Sequence, residues 1–96
     1  MTTISHARVR TDRASDYLVR LSKDLARDIP ALAFDDRHAV IPFPGARFEL
    51  IAGEEFLDIT LVAGSETQAV LAEHFLAGHL DSFAPDAGLE YHWSFQ

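Results

Sequence analysis

The sequence predicts an α+β domain of two layers: a largely antiparallel sheet of about six strands with two helices packed on one face, in the order β-α-β-β-β-β-α-β. Two stretches repeat apolar residues at helical spacing. Between them lie short alternating segments separated by turn residues. The chain then closes on strict period-two alternation, Leu89, Tyr91, Trp93 and Phe95 against Glu90, His92 and Ser94, which marks a strand with one buried face.

Ile4 to Arg10 reads as the first strand, with Ser5, Ala7 and Val9 on one side and His6, Arg8 and Arg10 on the other. Thr11 or Asp12 is expected to cap a helix running to about Arg27, whose buried stripe is Ala14, Tyr17, Leu18, Leu21 and Leu25. Ile29-Pro30 then ends it, because the residue before proline is pushed out of the α region. Leu32 to Phe34 and Ala39 to Phe43 flank a hairpin turn at Asp35-Asp36-Arg37-His38. Pro44-Gly45 and Gly53-Glu54-Glu55 make the next two turns, around a strand from Arg47 to Ala52 and before another from Phe56 to Val62. Alternation assigns Phe48, Leu50, Leu57, Ile59 and Leu61 to the core and Arg47, Glu49, Asp58 and Thr60 to the outside.

The second helix opens at Ser65-Glu66-Thr67-Gln68, which has the form of a capping box. Its apolar face is expected to gather Leu71, Ala72, Phe75, Leu76, Leu80 and Phe83, with His79 near the middle and Glu73, His74 and Asp81 away from it. Trp93 is expected in the core.

At 96 residues the chain has room for a single domain, residues 1–96, with one core. No apolar run approaches the ~20 residues of a membrane helix, and the first residues lack a signal-peptide pattern, so a cytoplasmic protein is expected. The absence of cysteine removes disulfides, cysteine-ligated metal and thiol nucleophiles, leaving stability to packing. A net charge of −7 argues against nucleic acid as a partner. The charge is uneven: residues 1–27 hold six basic and three acidic side chains, residues 28–96 two basic and twelve acidic. Arg13, Arg20 and Arg27 recur every seven residues on the first helix, with Asp16 and Asp24 flanking Arg20 for local pairing.

His6-Ala7-Arg8-Val9-Arg10-Thr11-Asp12-Arg13-Ala14-Ser15-Asp16-Tyr17-Leu18, followed by Leu21-Ser22-Lys23, resembles the opening of a bacterial family catalogued as domain of unknown function 2218. His79-Leu80-Asp81-Ser82-Phe83-Ala84, then Leu89 and Trp93, resembles that family's closing motif, so the resemblance covers essentially the whole chain. It implies a small bacterial cytoplasmic protein with no established activity, sometimes found beside or joined to siderophore-interacting flavin reductase domains. Where the family pattern carries a cysteine, lysine, histidine run on the first helix, this chain has Ser22, Lys23 and Asp24. A metal or redox role leaning on that cysteine or histidine is therefore not expected.

The residues themselves favour a non-catalytic binding or accessory module over an enzyme, and the resemblance implies a link to iron-siderophore handling. His74 and His79 are five apart, unlike the i, i+4 pair of a helical zinc site. No serine sits in a nucleophile elbow and no glycine-rich phosphate loop is present, so neither cofactor nor metal is expected. The first alternative is a small-ligand-binding protein or enzyme with a pocket around His79, Tyr91 and Trp93, with Asp24 meeting His79 if the two helices lie side by side. The second is a homodimer formed through the open sheet face, which carries His6, Arg8, His38, Arg47, Glu49, Asp58, Glu90 and His92. Val40, Ile51 and Val62 interrupt that polarity, and would mark a contact surface if they cluster. A siderophore-interacting reductase is the other candidate partner.

Overall fold

The computed structural model describes residues 2–83 and 93–95. Alternating sequence along four long strands, β1 (Thr3–Arg10), β3 (His38–Phe43), β4 (Ala46–Ala52) and β5 (Phe56–Ala63), builds a sheet with one apolar face. The two-residue strands β2 (Ala33–Phe34) and β6 (Ser94–Phe95) form its edges, giving the order β2-β3-β4-β5-β1-β6 with every neighbouring pair antiparallel. The α+β class expected from the sequence is therefore the one found.

Register explains the one-sided core. Ala7 and Leu50 both lie opposite Ile59, Ser5 and Phe48 both lie opposite Leu61, and Ala39 and Ile41 face Leu50 and Phe48. All of these side chains are fully buried. The helices α1 (Ala14–Ala26) and α2 (Glu66–Phe83) both pack on this face and share one hydrophobic cluster with it. The stripe Ala14, Tyr17, Leu18, Leu21 and Leu25 of α1 is buried as expected, together with Ser22. The Ser22 hydroxyl finds no hydrogen-bond partner among the described residues, a burial that costs about 1–3 kcal/mol.

Local expectations failed at three places. The N-cap of α1 is Arg13, not Thr11 or Asp12; Thr11 accepts the Arg13 amide through Oγ1 at 3.0 Å, two residues too early to serve the helix itself. On α2 the buried positions are Ala69, Ala72, Glu73, Leu76 and Leu80, whereas Leu71 is 62% exposed. Apolar residues run most of the way round this helix, so periodicity alone does not choose a face. Two alanines allow close approach to the sheet, and Ser5 on β1 donates at 2.8 Å to Glu73 Oε1, which makes burial of that carboxylate tolerable. The third difference is Trp93, which is half-buried at the margin of the core. Leu89, Glu90, Tyr91 and His92 lie outside the described residues.

Two turns hold the meander. In the β2–β3 turn the Asp35 carboxylate accepts the backbone amides of Arg37 and His38, each at 2.8 Å. In the β3–β4 turn Gly45 has φ +75°, and a Cβ there would collide with the side-chain amide of Gln68. Gln68 belongs to the first turn of α2, where its backbone amide donates to Ser65 Oγ at 3.2 Å, so the Ser65 half of the expected capping box is formed while the Gln68 side chain lies against Gly45.

Gly45→Ala should therefore destabilise the fold by about 1–3 kcal/mol in urea titration, part backbone strain and part collision. Adding Gln68→Ala should recover the steric part, and full additivity of the two changes would contradict this contact. The backbone hydrogen bonds from Arg37, then His38, hold the Asp35 carboxyl below its ordinary range. Its contribution to stability is thus present above the unfolded value of about 3.9 and lost as the pH falls through the lower folded value. The stability difference between wild type and Asp35→Asn should be flat near neutrality and shrink in acid. A difference unchanged down to about pH 3 would remove Asp35 as the titrating group.

Candidate functional site

The C-terminal halves of the two helices bring together residues that lie far apart in the chain. On α1 the outward row Arg20, Lys23, Asp24 and Arg27 follows helical spacing. On α2, Phe75 and His79 stand one turn apart on the flank facing it. His79 Nδ1 lies 3.3 Å from Asp24 Oδ2, so the two predicted partners do meet. Donation from Nδ1 to the carboxylate orients the ring and leaves Nε2 as its other polar edge. His79 is not at the middle of the buried face: its side chain is 34% exposed, at the rim next to α1.

Aromatic contacts tie that rim to the core. The Phe75 and His79 rings lie 4.6 Å apart, Phe75 and Phe43 4.9 Å, and Phe43 meets Phe48 edge-on at 6.0 Å. Beside them opens a cleft of about 650 Å³, lined by Asp24, Leu25, Arg27, Asp28, Ile29, Phe43, Pro44, Phe75 and His79. A second concavity of about 470 Å³ continues across the row Arg20, Lys23, Asp24 and Arg27 to Ser82. The sequence places Phe43 only as the end of a strand, Phe75 only on the apolar face of the second helix, and Arg27 only in the seven-residue arginine row. Phe75 was legible as the residue one turn before His79, while Phe43 arrives only through the sheet. Trp93 is not among the lining residues of this cleft, so the expected grouping with His79 is not seen there, and Tyr91 lies outside the described residues.

A serine, histidine and aspartate in one groove invite comparison with a hydrolytic triad. Here the Ser82 hydroxyl donates at 2.7 Å to the backbone carbonyl of His79, one turn back in its own helix. It is thus committed to the helix rather than to the imidazole edge that a general base would use. Among the described residues no group of three or more histidine, aspartate or glutamate side chains is placed to hold a metal ion. No described helix is long and apolar enough to cross a membrane.

On the open sheet face the polar residues pair across strands. Arg8 Nε donates to Asp58 at 2.7 Å, and this hydrogen bond, then the charge of Asp58, raises the Arg8 pKa above its ordinary value. The Arg8 guanidinium also sits 4.8 Å from the centre of the Phe56 ring. His6 lies 3.8 Å from Asp58 and His38 3.3 Å from Glu49. Register places Ile51 between His38 and Asp58, Val40 opposite Glu49, and Val62 between Arg47 and Ile4. Val40 and Ile51 are thus diagonal neighbours across β3 and β4, while Val62, opposite Ile4, is separated from them by Arg47 and Glu49, so the three do not form one continuous patch.

A one-faced antiparallel sheet carrying two helices, with a cleft where the helices end, defines the class of this protein. The chain belongs to the family described as uncharacterized protein conserved in bacteria (DUF2218), whose pattern matches residues 6–94. It is similar to the NMR structure of PA4090 from Pseudomonas aeruginosa, with a TM-score of 0.74 and 25% identity over 97% of this chain and 94% of that one. A comparison with curated proteins finds no match.

The contact between Asp24 and His79 is half-exposed, so a double-mutant cycle on Asp24→Ala and His79→Ala should give a coupling of at most ~1 kcal/mol. A coupling of several kcal/mol would mean that the pair holds the helices together rather than lining a cleft.

Proposed function

We propose that this domain is a non-catalytic binding module, an accessory in iron-siderophore handling, with its ligand site in the cleft between α1 and α2. One observation carries the binding reading: Asp24 orients His79 against the tilted, contacting rings of Phe75 and Phe43 at the wall of a cleft of about 650 Å³. An apolar concavity with a few convergent polar groups is what small-molecule sites are built from. The non-catalytic part is supported by the engagement of Ser82 with its own helix. Its link to siderophore handling, with a siderophore-interacting reductase as partner, is supported by the family resemblance of the two terminal segments. The homodimer reading needs an apolar sheet face, and the charged residues Arg47 and Glu49 that separate Val62 from Val40 and Ile51 work against it.

Titration of isotope-labelled protein with 2-naphthalenemethanol tests the site. Chemical-shift changes should concentrate at Leu25, Phe43, Phe75 and His79 and spare His6 and His38 on the opposite face. Phe75→Ala should weaken binding about two- to tenfold, as expected for the loss of one aromatic contact. Changes confined to the sheet face, or an undiminished affinity in a folded Phe75→Ala protein, would overturn the assignment.

A further inference from the structure

Charge along α1 is distributed in a way that local pairing does not explain. Arg20 is held by Asp16 at 3.3 Å, and Asp24 is taken by His79. Lys23 and Arg27 have no ion-pair partner among the described residues, although the protein carries a net charge of −7 and acidic side chains are plentiful. They stand one helical turn apart, so their charged ends can converge on a single group. Both line the outer concavity, and Arg27 also lines the aromatic cleft, so the two are continuous.

From this we infer the chemical class of the ligand: an aryl anion, its acidic group between Lys23 and Arg27 and its aromatic body against Phe75 and Phe43. This rests on the binding reading of the same cleft. Orientation follows from the remaining charges. Asp28 lines the inner, aromatic cleft and repels an anion there, whereas the only carboxylate lining the outer concavity among the described residues, Asp24, is already engaged by His79. An unpaired cation is offset by a ligand carboxylate or phosphoryl oxygen at its edge, while the rings supply area at little entropic cost.

The matched probes 2-naphthoate, 2-naphthalenemethanol and 2-naphthylmethylamine separate charge from shape. Naphthoate should bind most tightly, and its advantage over the alcohol should shrink as salt is raised to about 0.5 M, where screening shortens the reach of exposed charge. Lys23→Gln and Arg27→Gln should each weaken naphthoate binding about two- to fivefold, the range of exposed ion pairs, while the affinity of the Lys23→Gln protein for the alcohol stays unchanged and reports that the fold is intact. Equal affinity for all three, or preference for the amine, overturns the anionic class and leaves the binding site standing. If none of the three perturbs Phe75 or His79, the binding reading itself fails, and the ligand class with it.

Discussion

Everything in this fold depends on the sheet having one face that must be hidden. Ser5, Ala7 and Val9 on β1, Ala39 and Ile41 on β3, Phe48 and Leu50 on β4, and Leu57, Ile59 and Leu61 on β5 all project to the same side and are fully buried. Two helices are the cover available, and they lie side by side on that surface. Burial of this apolar area drives the arrangement. The cleft lies beside the junction of the two helices, toward the C-terminal end of α1, with Phe43 and Pro44 as the sheet's part of its wall.

Chemistry at that cleft is set by what each helix turns outward once its apolar stripe is committed. With Leu18, Leu21 and Leu25 facing the sheet, Arg20, Lys23, Asp24 and Arg27 are left on the outer flank of α1. With Ala72, Leu76 and Leu80 buried, Phe75 and His79 come to the rim of α2. The turn at Gly45 holds Phe43 and Pro44 against them. Gly45 adopts a left-handed conformation directly beneath Gln68, so the sheet end, the start of α2 and the floor of the cleft are positioned together.

The two faces of the sheet use their polar residues differently. Outside, Arg8, His6, His38, Asp58 and Glu49 satisfy one another across neighbouring strands, a solvated lattice in which each charge has a nearby opposite. Inside, the buried carboxylate of Glu73 is matched by a single hydroxyl, Ser5. At the junction of the helices Lys23 and Arg27 stand without an ion-pair partner among the described residues, next to the aromatic wall of Phe75 and Phe43.

The sequence by itself determined the α+β class, the order of the elements, the inward set on β1, β4 and β5, and the stripe of α1. These rest on period-two and period-3.6 patterns, in which neighbouring positions have strongly different polarity. It determined little about α2, whose surplus of apolar residues leaves the buried face open to choice. Packing decided that Ala69, Ala72 and Glu73 go in, Leu71 stays out and His79 sits at the rim. Only the tertiary structure could place β1 between β5 and β6, because strand order depends on long-range pairing that no local pattern encodes. The site was half legible for the same reason. Asp24 and His79 are separated by 55 positions, and their types could be noticed, but their contact exists only because two helices cover one sheet face. Phe43 joins them from a strand end, and nothing in its own neighbourhood says that it will.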